Sequence, residues 1–116
     1  MPQYVLLLRE SATATPNISP GEMEAIIKRY KAWGASVAAK GLMRGGNKLQ
    51  DGTGRSVTAS AGKLSVTDGP YAESKEIVAG YFLIEAANYD EAVRLSSDCP
   101  HLDFGTIEIR EVEPTE

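Results

Sequence analysis

The chain has 116 residues, 42% of them hydrophobic, a size and composition that predict one domain spanning residues 1–116 with a sizeable core. Twelve lysine and arginine residues are scattered among sixteen acidic ones, and the net charge is −4. Because no basic block is present, the sequence argues against nucleic acid and against an anionic membrane as main partners.

The first predicted elements are a strand and a long helix. Residues 4–8 form a short apolar run that is typical of a central strand buried on both faces. No cationic segment precedes this run, so we expect neither a signal peptide nor a membrane span. The sequence Ser19-Pro20-Gly21-Glu22 is a capping box with proline at the first helical position. It predicts a helix that continues to about Lys40, with Gly41 as its stop.

An apolar stripe at helical spacing predicts which side chains of this helix face the core. The stripe consists of Met23, Ile26, Ile27, Tyr30, Trp33 or Gly34, and Val37. We expect Tyr30 and Trp33 to pack on the sheet as core residues, not to form a cofactor site.

The middle of the chain predicts a strand with a loose loop, followed by a hairpin. Residues 42–54 are rich in glycine, asparagine and aspartate, which favours one strand with a loop. Residues 56–60 and 63–67 alternate in polarity and are joined by Ala61-Gly62, a pattern typical of a two-residue hairpin turn. Val57, Leu64 and Val66 should then face one side of the hairpin.

A rigid turn follows the hairpin at Asp68-Gly69-Pro70-Tyr71. Aspartate can bond its own downstream backbone, glycine permits positive φ and proline fixes φ, so the turn can aim side chains. Residues 77–86 after it form the longest β-like run in the chain and predict a central strand. Gly80 within this run favours a bulge or a close approach of another backbone.

The last predicted elements are a short helix and a strand. Asn88 and Glu91 form a second capping box, with Ala92, Val93 and Ser96 on the inward stripe and Pro100 ending the helix. Residues 105–112 alternate apolar and charged, which predicts a strand with one solvated face.

A single cysteine, Cys99, rules out an internal disulfide framework and favours a reducing, cytoplasmic compartment. We expect it to be a packed thiol near the helix end and not a reactive one.

This order of elements predicts an α+β fold of the ferredoxin-like split βαβ type, with an antiparallel sheet and an inserted hairpin. Two helices cover only one face of such a sheet, so the other face would expose apolar side chains. A second copy that docks sheet to sheet would cover them. We therefore expect a homodimer that forms an α+β barrel, with a cavity between sheet and helices in each subunit.

The turn also carries a family resemblance. Residues 66–76, together with Gly80-Tyr81-Phe82, closely resemble the YCII-related proteins that carry a DGPF motif, with Tyr71 in place of the phenylalanine. Residues 4–8, 20–23, 99–100 and 105–110 also resemble that family, so the likeness covers most of the chain.

The resemblance implies a dimeric α+β barrel with a ferredoxin-like subunit. Family members are mostly uncharacterised small bacterial proteins, some of them associated with extracytoplasmic-function sigma factors. The wider superfamily includes small-molecule lyases, isomerases and monooxygenases. Related YCII proteins are thought to use a histidine and aspartate pair.

The candidate catalytic residues are His101 and Asp68. His101 is the one histidine of the chain, and histidine titrates nearest physiological pH, so it is the natural residue for proton transfer. The competing interpretation is an exposed loop histidine bonded to water. Asp68 could orient His101 or act as a base, it could fix the turn through an Asx-type bond, and both roles could hold at once.

The candidate ligand-binding residues are Tyr71, Ser74, Lys75 and Tyr81. Ser74 or Lys75 could meet an anionic group of a substrate, or belong to a solvated loop. Tyr71, Tyr81 and Tyr4 could line a pocket, although aromatic residues in strands are more often core.

The residue types point to chemistry without a cofactor. One histidine, one cysteine and scattered carboxylates lack the paired spacings of a zinc or iron site, and no phosphate-loop or dinucleotide fingerprint is present. The leading hypothesis is cofactor-free acid–base chemistry of the lyase or isomerase type on a small organic molecule. The alternative is a non-enzymatic ligand-binding or regulatory accessory protein.

Overall fold

The computed structural model describes residues 1–11, 19–68 and 76–114. Within these ranges the chain forms six strands, two α-helices and one 3₁₀ helix, in the predicted order. They are β1 (Gln3–Ser11), α1 (Pro20–Ala39), β2 (Met43–Lys48), β3 (Arg55–Ser60), β4 (Lys63–Asp68), β5 (Glu76–Glu85), α2 (Tyr89–Ser96), the 3₁₀ helix (Pro100–Asp103) and β6 (Thr106–Glu111).

Four of the strands form one antiparallel sheet in the order β2-β5-β1-β6. β1 lies in the interior of the sheet, with β5 on one side and β6 on the other. Because each helix connects strands that are not neighbours, this is the split βαβ arrangement of ferredoxin-like proteins. The predicted α+β fold class is confirmed.

The predicted ends of α1 are confirmed as well. The Ser19 hydroxyl accepts a hydrogen bond from the Glu22 backbone N–H at 3.2 Å and donates to the Glu22 carboxylate at 3.2 Å. Gly41 follows the helix with φ +73°, in the left-handed region that glycine adopts without strain. Local sequence therefore determines where this helix begins and ends.

The core lies between the helices and one face of the sheet. Its centre is formed by Tyr4 and Leu6 of β1, Ile84 of β5 and Val37 of α1, all of them fully buried. Trp33 packs edge-to-face on Phe82, with ring centroids 4.8 Å apart, and its indole N–H donates to the Leu95 carbonyl at 2.9 Å. The prediction that Trp33 packs on the sheet is confirmed.

The predicted stripe of α1 is wrong in its first half. Met23 is 43% exposed and Ile27 is 45% exposed, whereas Trp33 and Val37 are buried. A helix of 20 residues is about 30 Å long, and only its C-terminal half lies over the core. On α2 the same correction applies to Val93, which is 53% exposed, while Ala92 and Ser96 are buried as predicted.

The second face of the sheet has no covering layer in the described chain. Side chains alternate along β1, so Val5 and Leu7 point away from the helices, and their partners in β5 are Leu83 and Tyr81. These four side chains are half-buried, in contrast to Tyr4 and Leu6. The prediction that β1 is buried on both faces is therefore wrong for a single chain.

Strands β3 and β4 form a separate two-stranded sheet. Its turn is Ala61-Gly62, with φ of 49° and 78°, as the primed turns of two-residue hairpins require. Val57 lies opposite Val66 and Ala59 lies opposite Leu64, so the three predicted apolar residues share one face. The predicted hairpin is confirmed.

Candidate functional site

The candidate site lies at the end of the sheet where β1 finishes and β5 begins. Ser11, the last residue of β1, is in register with Glu76, the first residue of β5. The 3₁₀ helix packs against this end and against α1, and it brings His101 between them. We call this region the His101 end of the sheet.

His101 is a buried histidine, only 3% exposed, which overturns the interpretation as an exposed loop residue. Its Nε2 lies 2.8 Å from the carbonyl oxygen of Arg9, and its Nδ1 lies 3.1 Å from the hydroxyl of Tyr30. A carbonyl oxygen only accepts, so Nε2 must carry the proton. Nδ1 of the neutral ring then accepts from the Tyr30 hydroxyl. These two bonds assign the tautomer.

The sequence places His101 by means of proline and glycine. Pro100 starts the 3₁₀ helix, and the His101 carbonyl accepts from the backbone N–H groups of Phe104 and Gly105 at 2.9 Å each. A β-carbon on Gly105 would overlap the Arg9 carbonyl oxygen and lie 3.0 Å from His101 Nε2. Only glycine therefore fits between the ring and β1.

Tyr30 is a candidate functional residue that the sequence pattern does not reveal, because its spacing marks it only as part of the helix stripe. The pKa of Tyr30 is raised to about 12, mainly by burial, with smaller contributions from Cys99, Glu10 and Asp103 and an opposing one from Arg29. The hydroxyl thus stays protonated and available as a donor. A phenol within a mostly aliphatic inward stripe was the available signal, since a buried hydroxyl normally finds a partner.

Alkaline stability should depend on Tyr30. Unfolded tyrosine ionises near pH 10, whereas the folded chain holds this proton until about pH 12, so unfolding releases a proton between these values. The contribution is complete below pH 10, and we expect about 1–2 kcal/mol to be lost as the pH rises through the interval. Denaturant unfolding on both sides of the interval measures this loss. Burial also raises the pKa of Tyr4, so Tyr30→Phe should reduce the loss without removing it, and Tyr89→Phe should reduce it less. Equal slopes in the two variants would contradict the assignment.

Charged residues lie around the His101–Tyr30 pair. Arg9 bridges Glu108 at 3.1 Å and Glu76 at 3.7 Å, and Arg29 bridges Asp103 at 2.7 Å. Such partly exposed pairs contribute little to stability. They do give the His101 end a polar rim with charges of both signs, which suits a polar ligand better than an apolar one.

Cys99 lies next to this cluster and is 3% exposed. Burial raises the pKa of its thiol, with a smaller opposing effect from a backbone hydrogen bond to His101. The prediction that Cys99 is packed is confirmed by this burial, and a buried thiol with a raised pKa is typical of an unreactive cysteine.

The other predicted catalytic residue, Asp68, lies at the end of β4 in the hairpin. Its carboxylate is 85% exposed and pairs with Arg55 at 3.1 Å. Among the described contacts none joins Asp68 to His101, whose two ring nitrogens contact Tyr30 and Arg9. A bond to Asp68 would have to replace one of these, and the catalytic pair stays a prediction.

The predicted ligand-binding residues divide into one described residue and three others. Tyr81 lies in β5 on the uncovered face, where its hydroxyl accepts from the Asn47 side-chain amide at 3.1 Å. Tyr71, Ser74 and Lys75 lie outside the described residues, as do Gly69 and Pro70 of the turn.

Gly80 performs the role expected from the sequence. The β1–β5 register shifts beside it, after Leu8, and a β-carbon on Gly80 would approach the Asn47 carbonyl oxygen to 2.9 Å. The close backbone approach is confirmed, and it joins β2 tightly to β5 next to Tyr81.

A separate surface groove between α1 and α2 contains none of the predicted site residues. Its lining combines Trp33 and Leu95 with Lys40, Arg94 and further charged side chains at the rim. Neither His101 nor Tyr30 lines this groove, so it lies apart from the candidate proton-transfer residues.

The fold and the site together define a small ferredoxin-like α+β domain in which a buried histidine contacts a half-buried tyrosine at one end of the sheet. Comparison with known families makes this more specific: the chain belongs to the YCII-related domain family, whose model matches residues 3–116. The resemblance to the YCII-related family is confirmed, and membership of its DGPF branch stays a prediction.

A curated relative is an uncharacterised protein of Rhizobium meliloti (strain 1021), 42% identical over 53 residues. The match spans 44% of this chain and 43% of the relative, which is less than half of either.

None of the helices in the described ranges is long and apolar enough to cross a membrane.

Proposed function

We propose that this protein is a cytoplasmic homodimer of the DGPF type that binds a small organic molecule at the His101 end and removes a proton from it without a cofactor. Lyase and isomerase reactions begin with such a step. The carrying observation is the chain of hydrogen bonds from Tyr30 through His101 to the Arg9 carbonyl.

The direction of proton transfer follows from the tautomer. Nδ1 of His101 has a free electron pair for the Tyr30 proton, and Nε2 already carries a proton. A ligand proton would pass to the Tyr30 oxygen while the Tyr30 proton passes to Nδ1. The products are a ligand anion and an imidazolium whose Nε2–H still donates to Arg9. The raised pKa of Tyr30 opposes a lasting tyrosinate, so the hydroxyl acts as a relay.

The remaining predicted residues fit this proposal as ligand contacts. β5 begins at Glu76, one residue after Lys75 in the chain and in register with Ser11 at the His101 end. We propose that Ser74 and Lys75 bind an anionic group of the ligand and that Tyr71 and Tyr81 line its pocket. Asp68 keeps its proposed roles of orienting His101, acting as a base and fixing the turn.

The homodimer is proposed from the uncovered face of the sheet. Val5, Leu7, Tyr81 and Leu83 form a continuous half-buried apolar surface opposite the helices. Apolar sheet faces of this kind are normally covered by a second layer. A second copy related by a two-fold axis presents the same surface, so one contact covers the apolar sheet face of both chains.

The test combines ligand discovery with proton exchange. A metabolite library is screened by thermal shift, and each hit is incubated with protein in heavy water while NMR follows exchange of its protons. Wild-type protein should accelerate exchange, and Tyr30→Phe should reduce the rate by about a hundredfold, within the range that a positioned acid–base group contributes.

Tyr89→Phe is the matched control, since its hydroxyl accepts from the Glu111 N–H at 2.8 Å at the other end of the sheet. It should exchange ligand protons at the wild-type rate. Equal exchange by wild type and Tyr30→Phe would refute the relay.

A second candidate is ligand binding without chemistry, as in a regulatory accessory protein. It is favoured by the engagement of both His101 nitrogens, which also suits a residue that only holds the 3₁₀ helix on β1 and α1. Binding of a hit with no proton exchange above the protein-free rate would support this candidate instead.

A further inference from the structure

The hairpin of β3 and β4 exposes an apolar face that its own described chain does not bury. Leu64 is 74% exposed, Val57 61% and Val66 60%, and all three point to the same side. The hairpin packs extensively only strand against strand, and no other described element makes comparable contact with either strand. An isolated two-stranded hairpin is marginally stable in water, so this face lacks the support it needs.

The hairpin also extends the molecule. The radius of gyration is 16.2 Å, against about 13 Å for a compact chain of this length, and the molecule measures 47 × 45 × 18 Å. We call the hairpin of β3 and β4 the arm. A flat molecule with a projecting arm is better suited to contact with a second molecule than to packing of the arm on its own chain.

The position of the hairpin indicates which molecule its apolar face contacts. β2 ends at Lys48, which pairs with Gly80, and the chain then leaves the sheet toward β3. Asn47, one residue earlier, bonds Tyr81 on the uncovered face. The arm thus departs from the border of the apolar surface through which the homodimer is proposed to form, and a subunit docked there lies directly beside it.

We infer that the second copy of this chain covers the apolar face of the hairpin, so that each subunit reaches over its partner with this arm. The inference rests on the proposed homodimer and adds a surface to it. A two-fold axis makes the two arms equivalent, so the same set of residues buries the hairpin face of each subunit.

The test uses two glutamate variants on adjacent positions of β4. Leu64→Glu places a charge on the apolar face, and Ser65→Glu places the same charge on the opposite face of the same strand, across from Thr58. Sedimentation equilibrium should show a dimer dissociation constant raised at least tenfold by Leu64→Glu and changed less than about threefold by Ser65→Glu. Circular dichroism checks that both variants are folded.

Hydrogen exchange of the wild type supplies the second measurement. Amides of β3 and β4 should exchange more slowly above the dimer dissociation constant than below it. A wild type that is monomeric at every concentration would remove the proposed homodimer itself. A stable dimer that Leu64→Glu leaves intact, or hairpin protection independent of concentration, would overturn the arm alone, the latter by showing that its own chain or another partner covers it.

Discussion

Gly105→Ala is expected to lower the free energy of unfolding by about 2–4 kcal/mol, within the upper range for a single substitution. A β-carbon at this position would overlap the Arg9 carbonyl oxygen and press on His101 Nε2, which lies 3.0 Å from it. The clash involves backbone of the interior strand β1, so no flexible side chain can yield. The chain must open the contact between the 3₁₀ helix and β1, and the His101–Arg9 hydrogen bond is lost with it.

Denaturant unfolding followed by circular dichroism measures this effect. Gly45→Ala is the matched control, because a β-carbon there has no atom within 4 Å, and its stability should stay within about 0.5 kcal/mol of wild type. Equal losses in the two variants would mean that the 3₁₀ helix is not held on β1 as described.

The elements with strong local signals were predictable because their determinants lie close together in sequence. Ser19 and Glu22 are three residues apart, and they define the start of α1. Ala61 and Gly62 determine the hairpin turn by their positive φ values. Once these elements are placed, the ferredoxin-like strand order follows from connection rules.

The site was less predictable because its contacts are long-range. The Tyr30–His101 contact spans 71 residues and the His101–Arg9 contact spans 92. One partner is a backbone carbonyl, which carries no residue-type signal at all. The helical spacing places Met23 and Ile27 on the apolar side of α1. It does not show whether the sheet extends far enough to cover them.

The turn at Asp68 shows the same difference between the fold, which the sequence predicts, and the site, which it does not. Its residues helped to identify the family, which the match over residues 3–116 confirms. Its chemistry depends on where the side chains point, and Asp68 itself contacts Arg55 in the hairpin. A motif can therefore specify a fold while leaving the reaction to geometry.

Leu7→Lys is expected to convert the proposed homodimer into a monomer, with the dimer dissociation constant raised at least about a hundredfold. Leu7 points from the interior strand β1 into the uncovered face, opposite Tyr81 and in register with Glu108 on its other side. A lysine ammonium there would be desolvated by a docked sheet, which is costly. In the monomer it stays in water near the Glu108 carboxylate, so the fold should tolerate it.

Val93→Lys is the matched control for added charge, because Val93 is 53% exposed on α2, in the layer on the other side of the sheet. It should sediment like wild type, while Leu7→Lys should sediment as a folded monomer. The sheet-to-sheet interface would be wrong if Leu7→Lys stayed dimeric at the wild-type dissociation constant. If Val93→Lys dissociated instead, the subunits would meet through their helices, and the apolar sheet face would need another occupant.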